Sequence, residues 1–334
     1  MSRPANHFSL VADIGGTNTR VGLSAGGRLL PETIRRYANA HYGALDAVLG
    51  AFMAPLDGVD CASICVAVAG PVRDGVATLT NLDWTIDPEG LAAATGAKKI
   101  AVLNDLQAHG HALGHLHPGA LRPILTGHDA SGNGAGQLVI GVGTGFNAAP
   151  VHNHPRGQIV VASECGHASL PIRTETDLKL LQFIDGNTGF PAIEDVLSGR
   201  GLEQVYAWVT SIAGAEEKRP AAAIMAAMAA RDPLALSAGQ VFGRLLGVVV
   251  GDLALIHLPL GGIYLCGGVA RAISPFLGEF GFARAFYDKG RFCDFMQRYS
   301  IFVIEDDFAA LTGCAVYLQN QICAEKSEGT SNLS

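Results

Sequence analysis

The stretch LVADIGGTNTRVG, residues 10–22, limits what this chain can fold into more than any other, because an apolar run carries one carboxylate, Asp13, straight into Gly15 and Gly16. Burying a carboxylate costs on the order of several kcal/mol unless something pairs with it. The residues on either side of the glycines read as two short strands joined by a tight turn. Glycine removes the Cβ from that turn, so backbone amides and the Thr17 and Thr19 hydroxyls can approach the oxygens of a polyphosphate. A metal or phosphate would then supply the partner for Asp13. An ordinary hairpin with an edge Asp accounts for the same residues.

The chain has ample material for a core. It is 334 residues long and 49% hydrophobic with only 16% charged residues, a length that points to about two domains. A net charge of −7 argues against a nucleic-acid partner or an anionic membrane surface, whose footprint is a cluster of Lys and Arg. Residues 1–9 lack the apolar region of a signal peptide, and no run approaches the roughly 20 apolar residues of a membrane span, so a cytoplasmic location is expected. Seven cysteines with no CxxC pair read as reduced thiols, mostly small core residues.

Further along, CASICVAVAGPV reads as a strand stopped by Gly70 and Pro71. In LTNLDW, Asn81 either holds a ligand hydroxyl or forms a turn ahead of a helix start at Asp87 and Pro88. From Lys98, KKIAVLNDLQAHGHALGH gives a short apolar strand, then Asn104 and Asp105, then a helix. Ligands of open α/β sheets bind beyond the carboxyl ends of strands, where an Asp can be both helix cap and catalytic base; Asn and Asp being common caps, the local residues favour capping. His111 and His115 share a helix face and read as solvated.

QLVIGVGTGFNAAPV repeats the plan of the opening stretch, with Gly143, Thr144 and Gly145 between two strands. Two such turns suggest two related halves, each cradling one end of a nucleotide. The Walker pattern GxxxxGK[ST] and the dinucleotide pattern GxGxxG are both absent. Glu164 and His167 in SECGH suit a polyhydroxylated ligand. His152, His154, Cys165 and His167 fit no standard zinc spacing. FPAIEDVLSGRGLEQVYAWV reads as two helices broken at Gly199 to Gly201, with Glu194 as a surface residue in the first. Two apolar helices follow. GGIYLCGGVA is then a strand running into Gly267 and Gly268, where adenine or ribose can lie against bare backbone. YSIFVIEDD is a strand, FAALTGCAVYLQNQI a helix, and residues 324–334 a disordered tail.

Asp13 with GGTNTR, then LTNLDW, LNDLQA, GVGTG, SECGH, EDVLSGRGL, LCGGVAR and FYDKGRF, stand in an order that resembles the bacterial glucokinases, ATP-dependent hexose kinases of the actin-like ATPase superfamily. The resemblance runs from about residue 9 to about residue 320. It implies an α/β fold of two ribonuclease H-like domains with sugar and ATP in an interdomain cleft. Residues 1–110 would form a small domain completed by a C-terminal helix over residues 305–323, and residues 111–304 a large one.

By the same resemblance Asp105 is the catalytic base for the 6-hydroxyl of D-glucose, yielding glucose 6-phosphate and ADP. Asn81, Asn104, Glu164, His167 and Glu194 hold the other hydroxyls. Asp13 orients hydrated Mg²⁺, Gly15, Gly16, Thr17 and Asn18 face the phosphates together with Gly143, Thr144 and Gly145, and Gly267 and Gly268 line the adenosine. A homodimer is implied, and another hexose such as mannose or glucosamine is the alternative substrate. The chain departs from the family pattern where GEGGH reads SECGH, placing Ser163 and Cys165 for glycines, and where GTGLG reads GTGFN, placing Phe146 and Asn147. The cysteine-rich zinc motif of the related ROK sugar kinases is missing. A sugar-sensing regulator of this fold would need a helix-turn-helix ahead of Asp13, which only 12 residues precede. A polymerising ATPase of the same fold would leave Asp105, Glu164 and His167 without a purpose.

Overall fold

Strand β1 (Phe8–Ile14) buries Leu10, Val11, Ala12 and Ile14 completely, so both of its faces are covered. The computed structural model describes residues 8–56, 59, 61–79, 82–128, 134–155 and 157–331. It divides into two compact units, residues 1–117 with 154–160 and 306–334, and residues 118–153 with 161–305.

In the first unit β1 runs antiparallel to β2 (Asn18–Ala25), which pairs with β3 (Arg28–Ala38). After helix α1 (Leu45–Met53), strand β4 (Ser63–Val68) lies parallel to β1. A small sheet of β5 (Val72–Arg73), β6 (Val76–Thr78) and β7 (Thr85–Ile86) leads to α2 (Pro88–Thr95). Asp87 caps α2 by accepting from the Gly90 amide, and Pro88 stands first in the helix, where its missing N–H costs nothing. Strand β8 (Lys99–Asn104) then joins β4 in parallel and passes directly into α3 (Asp105–Ala112). The sheet order is β3-β2-β1-β4-β8. In register, Ile14 is level with Val68 and Val68 with Asn104, so the carboxyl ends of three parallel strands share one edge.

The second unit opens with β9 (Leu121–Leu125), β10 (Gln137–Val142) and β11 (Phe146–His154). Strand β12 (Gly157–Val160) belongs to the first unit, where Gln158 donates to the Leu113 carbonyl and Gln107 to that of Val160. Four helices follow: α4 (Glu175–Thr188), α5 (Gly199–Ile212), α6 (Ala221–Ala229) and α7 (Pro233–His257). Strand β13 (Ile263–Cys266), short helices α8 (Gly268–Ile273), α9 (Phe282–Tyr287) and α10 (Cys293–Met296), and β14 (Ile301–Ile304) complete it. Its strands run in the order β11-β10-β13-β14-β9. β10 pairs antiparallel with β11 and parallel with β13, as β1 does with β2 and β4, so the two glycine turns mark the same place in a repeated plan.

Helix α7 is the core of the second unit. Contrary to the expectation that no run approaches a membrane span, it is long and apolar enough to cross a membrane by length and composition, and two thirds of its most apolar window is buried inside the fold. Gly239, Gly243, Gly247 and Gly251 recur every four residues along it, on one face. A Cβ on any of them would strike the segment around α9: the Phe280 ring, the Phe280 Cβ, the Phe282 carbonyl and, at 2.5 Å, the Lys289 Cε. Lys289, from the FYDKGRF motif, is 5% exposed in its side chain, and its ammonium donates to the Val248 carbonyl and pairs with Asp252. That motif therefore earns its place by packing.

The last helix, α11 (Ala309–Ser331), returns to the first unit. It covers one sheet face through Ala310, Leu311 and Cys314 against Val11, Cys65 and Ala67, while α1 covers the other. Gly313 lets α11 approach α3 so closely that a Cβ there would collide with the Ala108 carbonyl. Three sequence expectations are corrected here. Helix α11 continues through residues 324–331, part of the 324–334 expected to be a disordered tail, whose last three residues lie outside the described ones; Ala324 and Glu325 are good helix formers. His111 is 5% exposed, edge-on to Tyr317 of α11 at 4.9 Å, and burial pushes its pKa down to about 4. Residues 190–198 form turns, and Gly199 to Gly201 begin α5 under a Ser198 cap. The segment 190–194 bonds residues 166–170 in place of closing its own helix: Ile193 donates to Ala168 and Glu194 to Gly166, while Leu170 donates to Pro191.

Candidate active site

In the first unit the turn between β1 and β2 is held from a distance. Gly15 donates to the Asn18 carbonyl, and Asn39, 2% exposed, donates from its side chain to the Gly15 carbonyl at 2.8 Å. The Asn39 side chain also accepts from the Thr19 hydroxyl, and the Asn39 backbone amide donates to the Thr17 carbonyl. This brace leaves Gly16 and Thr17 exposed at the tip. Asp13 is paired with Arg20 across the hairpin at 3.1 Å, which meets the cost its burial would otherwise impose. Arg20 occupies one of about four acceptor positions of the carboxylate, so Asp13 retains capacity for waters around a hard cation, which binds through few carboxylates and keeps much of its hydration.

On the same sheet edge β8 becomes α3. The Asn104 side chain accepts from the Leu106 amide and donates to the Gly70 carbonyl, and its backbone amide donates to Gln107, a capping box. One amide hydrogen and one lone pair of the side chain remain for a ligand. Asp105, the first helical residue, accepts from the Leu106 amide at 2.9 Å. Burial lifts its pKa from 3.8 to about 6; the nearby His109 opposes that rise and the charge of Asp13 adds to it. His109 contacts the Asp105 carbonyl through Nδ1 at 2.9 Å. A half-buried carboxylate with such a pKa is suited to taking a proton near neutral pH. Asn81 lies outside the described residues.

In the second unit Gly143, Thr144 and Gly145 form the tight turn between β10 and β11, with Gly143 donating to Gly145. Gly267, at φ +100°, presses against this turn: a Cβ there would stand 2.5 Å from the Val142 carbonyl. Gly199, at the start of α5, donates to the Gly143 carbonyl. The turn, the α5 N-terminus and Gly268 at the head of α8 thus converge at the carboxyl ends of β10 and β13, with Thr144 and Gly268 exposed. The α5 N-terminus stands where the sequence breaks its two helices, at Gly199 to Gly201, but its place beside the Gly143 turn carries no mark in the sequence.

The carboxylates stand beside that turn. Glu194 accepts from the Phe146 amide at 2.9 Å and from Arg200 at 3.2 Å, and it packs so near Gly145 that a Cβ there would lie 2.5 Å from it. Far from being a surface residue, its side chain is 20% exposed. Glu164 and His167 are exposed at the ends of the Cys165–His167 turn, where His167 donates its amide to the Glu164 carbonyl. The departures from the family pattern engage one another. Asn147 donates to the Ser163 carbonyl and to the Glu164 carboxylate at 3.2 Å, and accepts from the Ser163 hydroxyl and the Cys165 amide. Burial raises the Cys165 thiol, which removes it as a nucleophile at neutral pH. Among the described residues no group of three or more His, Cys, Asp and Glu is placed to hold a metal ion.

The family model described as glucokinase matches residues 10–321. A protein named glucokinase from Mesorhizobium japonicum is 35% identical over 313 residues, 93% of this chain and 91% of its own length. Among solved structures, a glucokinase from an Antarctic psychrotroph aligns with TM-score 0.83 at 29% identity, over 94% of this chain and 99% of the other. Two more distant structures share the fold. One is a Balamuthia mandrillaris glucokinase in complex with glucose, TM-score 0.79 at 21% identity over 93% of each chain. The other is a ROK family glucokinase from Streptomyces griseus in complex with glucose and AMPPNP, TM-score 0.62 at 21% identity over 92% and 98%.

Proposed function

The chain belongs to the glucokinase family, kinases with the two-domain actin-like ATPase fold, and from that premise we propose that it transfers the γ-phosphoryl group of ATP to the 6-hydroxyl of D-glucose. The observation that carries this reading is Asp105: a carboxylate at the carboxyl end of a parallel strand, first in its helix, with its pKa raised to about 6. In the reaction the 6-hydroxyl gives its proton to the Asp105 carboxylate as the oxygen attacks the γ-phosphorus, and ADP leaves. Phosphoryl transfer asks little covalent chemistry of a protein; alignment, charge neutralisation and a base near the attacking oxygen are what it needs.

Asn104, with its spare hydrogen and lone pair, and Glu164, His167 and Glu194 fix the remaining hydroxyls, with Asn81 assigned the same role. The turns Gly15–Asn18 and Gly143–Gly145 offer backbone amides and threonine hydroxyls to phosphate oxygens, and Gly267 and Gly268 leave bare backbone for the adenosine. Asp13 would hold Mg²⁺ through its waters, and the ion would supply neutralisation of charge on the phosphates. The same reading makes the chain a cytoplasmic homodimer, the latter testable by sedimentation.

The test is ADP release from MgATP with glucose, fructose, mannose, glucosamine or N-acetylglucosamine, with the product identified by ³¹P NMR. Glucose should give the highest kcat/KM, and Asp105→Asn should lose at least about a thousandfold in kcat while glucose binding persists. A variant turning over near the wild-type rate refutes the base. A wild-type protein that phosphorylates no hexose refutes the function.

A further inference from the structure

Strand β11 begins with two residues that each hold a different carboxylate. The Phe146 amide donates to Glu194, and the Asn147 side chain donates to Glu164. The first bond is made by backbone, which any residue at 146 except proline supplies. The second depends on the side chain. The Asn147 amide serves mainly one loop: Nδ2 reaches the Ser163 carbonyl and the Glu164 Oε2, while Oδ1 receives the Cys165 amide and the Ser163 hydroxyl besides the Ala148 amide of its own strand. Residues 163 and 165 are thus pinned on either side of Glu164, and the carboxylate between them is drawn toward the strand.

We infer that Asn147 is the positioning residue for Glu164, fixing one carboxylate oxygen so that the other is presented to a sugar hydroxyl, and that it thereby sets how sharply the site discriminates between hexose epimers. The inference rests on the reading of Glu164 as a sugar ligand. Its physical basis is specific. An exposed glutamate has three rotatable bonds and samples many orientations, so a hydroxyl that it binds must first order it. A fixed donor to Oε2 removes that ordering cost before the ligand arrives. Discrimination follows, because an epimer with its hydroxyl turned away leaves a carboxylate that cannot swing to follow it. Asparagine is the side chain that does this: aspartate has no donor for the Ser163 carbonyl, and alanine has neither donor nor acceptor.

The experiment is a double-mutant cycle of Asn147→Ala and Glu164→Ala, alone and together, read as glucose Kd by calorimetry and as kcat and KM for glucose and mannose. Asn147→Asp, which preserves shape, serves as the second single variant should the alanine protein fail to fold. In the wild-type background Asn147→Ala should raise the glucose Kd and KM about tenfold, leave kcat within about threefold, and narrow the glucose-to-mannose ratio of kcat/KM. In the Glu164→Ala background the same change should move Kd less than about twofold, because its route of action is gone. A loop-stability role alone would make the two substitutions additive, and additivity overturns the inference, as does an unchanged epimer ratio in the single variant. If Glu164→Ala itself leaves glucose Kd unchanged, the reading of Glu164 falls and the inference falls with it. That result is separable from the former by this one variant.

Discussion

Replacing Asp105 by asparagine should abolish turnover and at the same time make the protein more stable at neutral pH. The carboxyl pKa rises from 3.8 to about 6 on folding, chiefly by burial. A carboxyl whose folded pKa lies above its unfolded one holds its proton more tightly in the native chain. Its contribution favours folding fully below about pH 4, is lost as pH climbs through about 6, and leaves the ionised group as a cost above that. Two pH units at 1.36 kcal/mol each set that cost at about 3 kcal/mol. Residual solvent access screens it, and the charge gains something from its place at the helix start, so about 1–2 kcal/mol remains. Asparagine keeps an oxygen to accept from the Leu106 amide, the bond that Asp105 makes at 2.9 Å, and carries no charge to desolvate. Urea unfolding of both proteins at pH 7.5 and at pH 4.5 measures this directly. The variant should be about 1–2 kcal/mol more stable at pH 7.5, and the gap should shrink by more than half at pH 4.5. A variant that is less stable at pH 7.5, or a gap that does not change with pH, refutes the burial argument. The catalytic counterpart is a kcat/KM that falls as pH drops below about 6 in the wild type.

Asn39→Ala removes the 2.8 Å bond to the Gly15 carbonyl and the partner of the buried Thr19 hydroxyl; it should cost about 1–3 kcal/mol and raise the KM for ATP more than that for sugar, as steady-state kinetics with each substrate varied will check. Gly145→Ala puts a methyl 2.5 Å from the Glu194 carboxylate; the sugar KM should rise at least about tenfold, and an unchanged KM would show that Glu194 does not act there. Gly251→Ala sets a methyl 2.5 Å from the Lys289 Cε and should destabilise by about 1–3 kcal/mol while leaving both KM values as they are; a kinetic change without a stability change would contradict the packing role given to the FYDKGRF motif.

What the sequence made legible was local in origin. The helix start at Asp87, the step from strand to helix at Asn104 and Asp105, the hairpin turns after β1 and β10, and the strand running into Gly267 depend on neighbours within a few residues, so residue type and spacing reveal them, although the cap itself is Asn104 and not Asp105. The place of Asp105 was legible for the same reason, since its strand and helix meet at it, while its role as a base comes only with the family resemblance. Asn39 was not: the turn it braces lies 24 residues before it, and a lone Asn after a strand carries no mark of that reach. Asn147 was noticed only as a departure from a pattern, because its partners stand 16 to 18 residues on. Glu194 was misplaced for a reason in the backbone. FPAIEDVL has helical apolar spacing, yet its amides pair with residues 166 and 168, a competition that spacing cannot display. His111 was assigned to water because Tyr317, which covers it, arrives only with the last helix.

The four glycines along α7 have a consequence for how the chain assembles. Each glycine inside a helix costs about 1 kcal/mol relative to alanine, so this helix gives up about 4 kcal/mol of intrinsic propensity along a single face. Alone in water it has little reason to stay wound. The segment from Phe280 to Lys289 repays the deficit only when it seats along that face and Lys289 reaches Asp252. Neither piece gains much without the other, so they form and dissolve as one cooperative block, and their amides should exchange with deuterium at a common slow rate. The chain between them, β13 and α8 included, is closed into a loop by that event, so the meeting of α7 with its partner segment ties β13 and α8 into the same block.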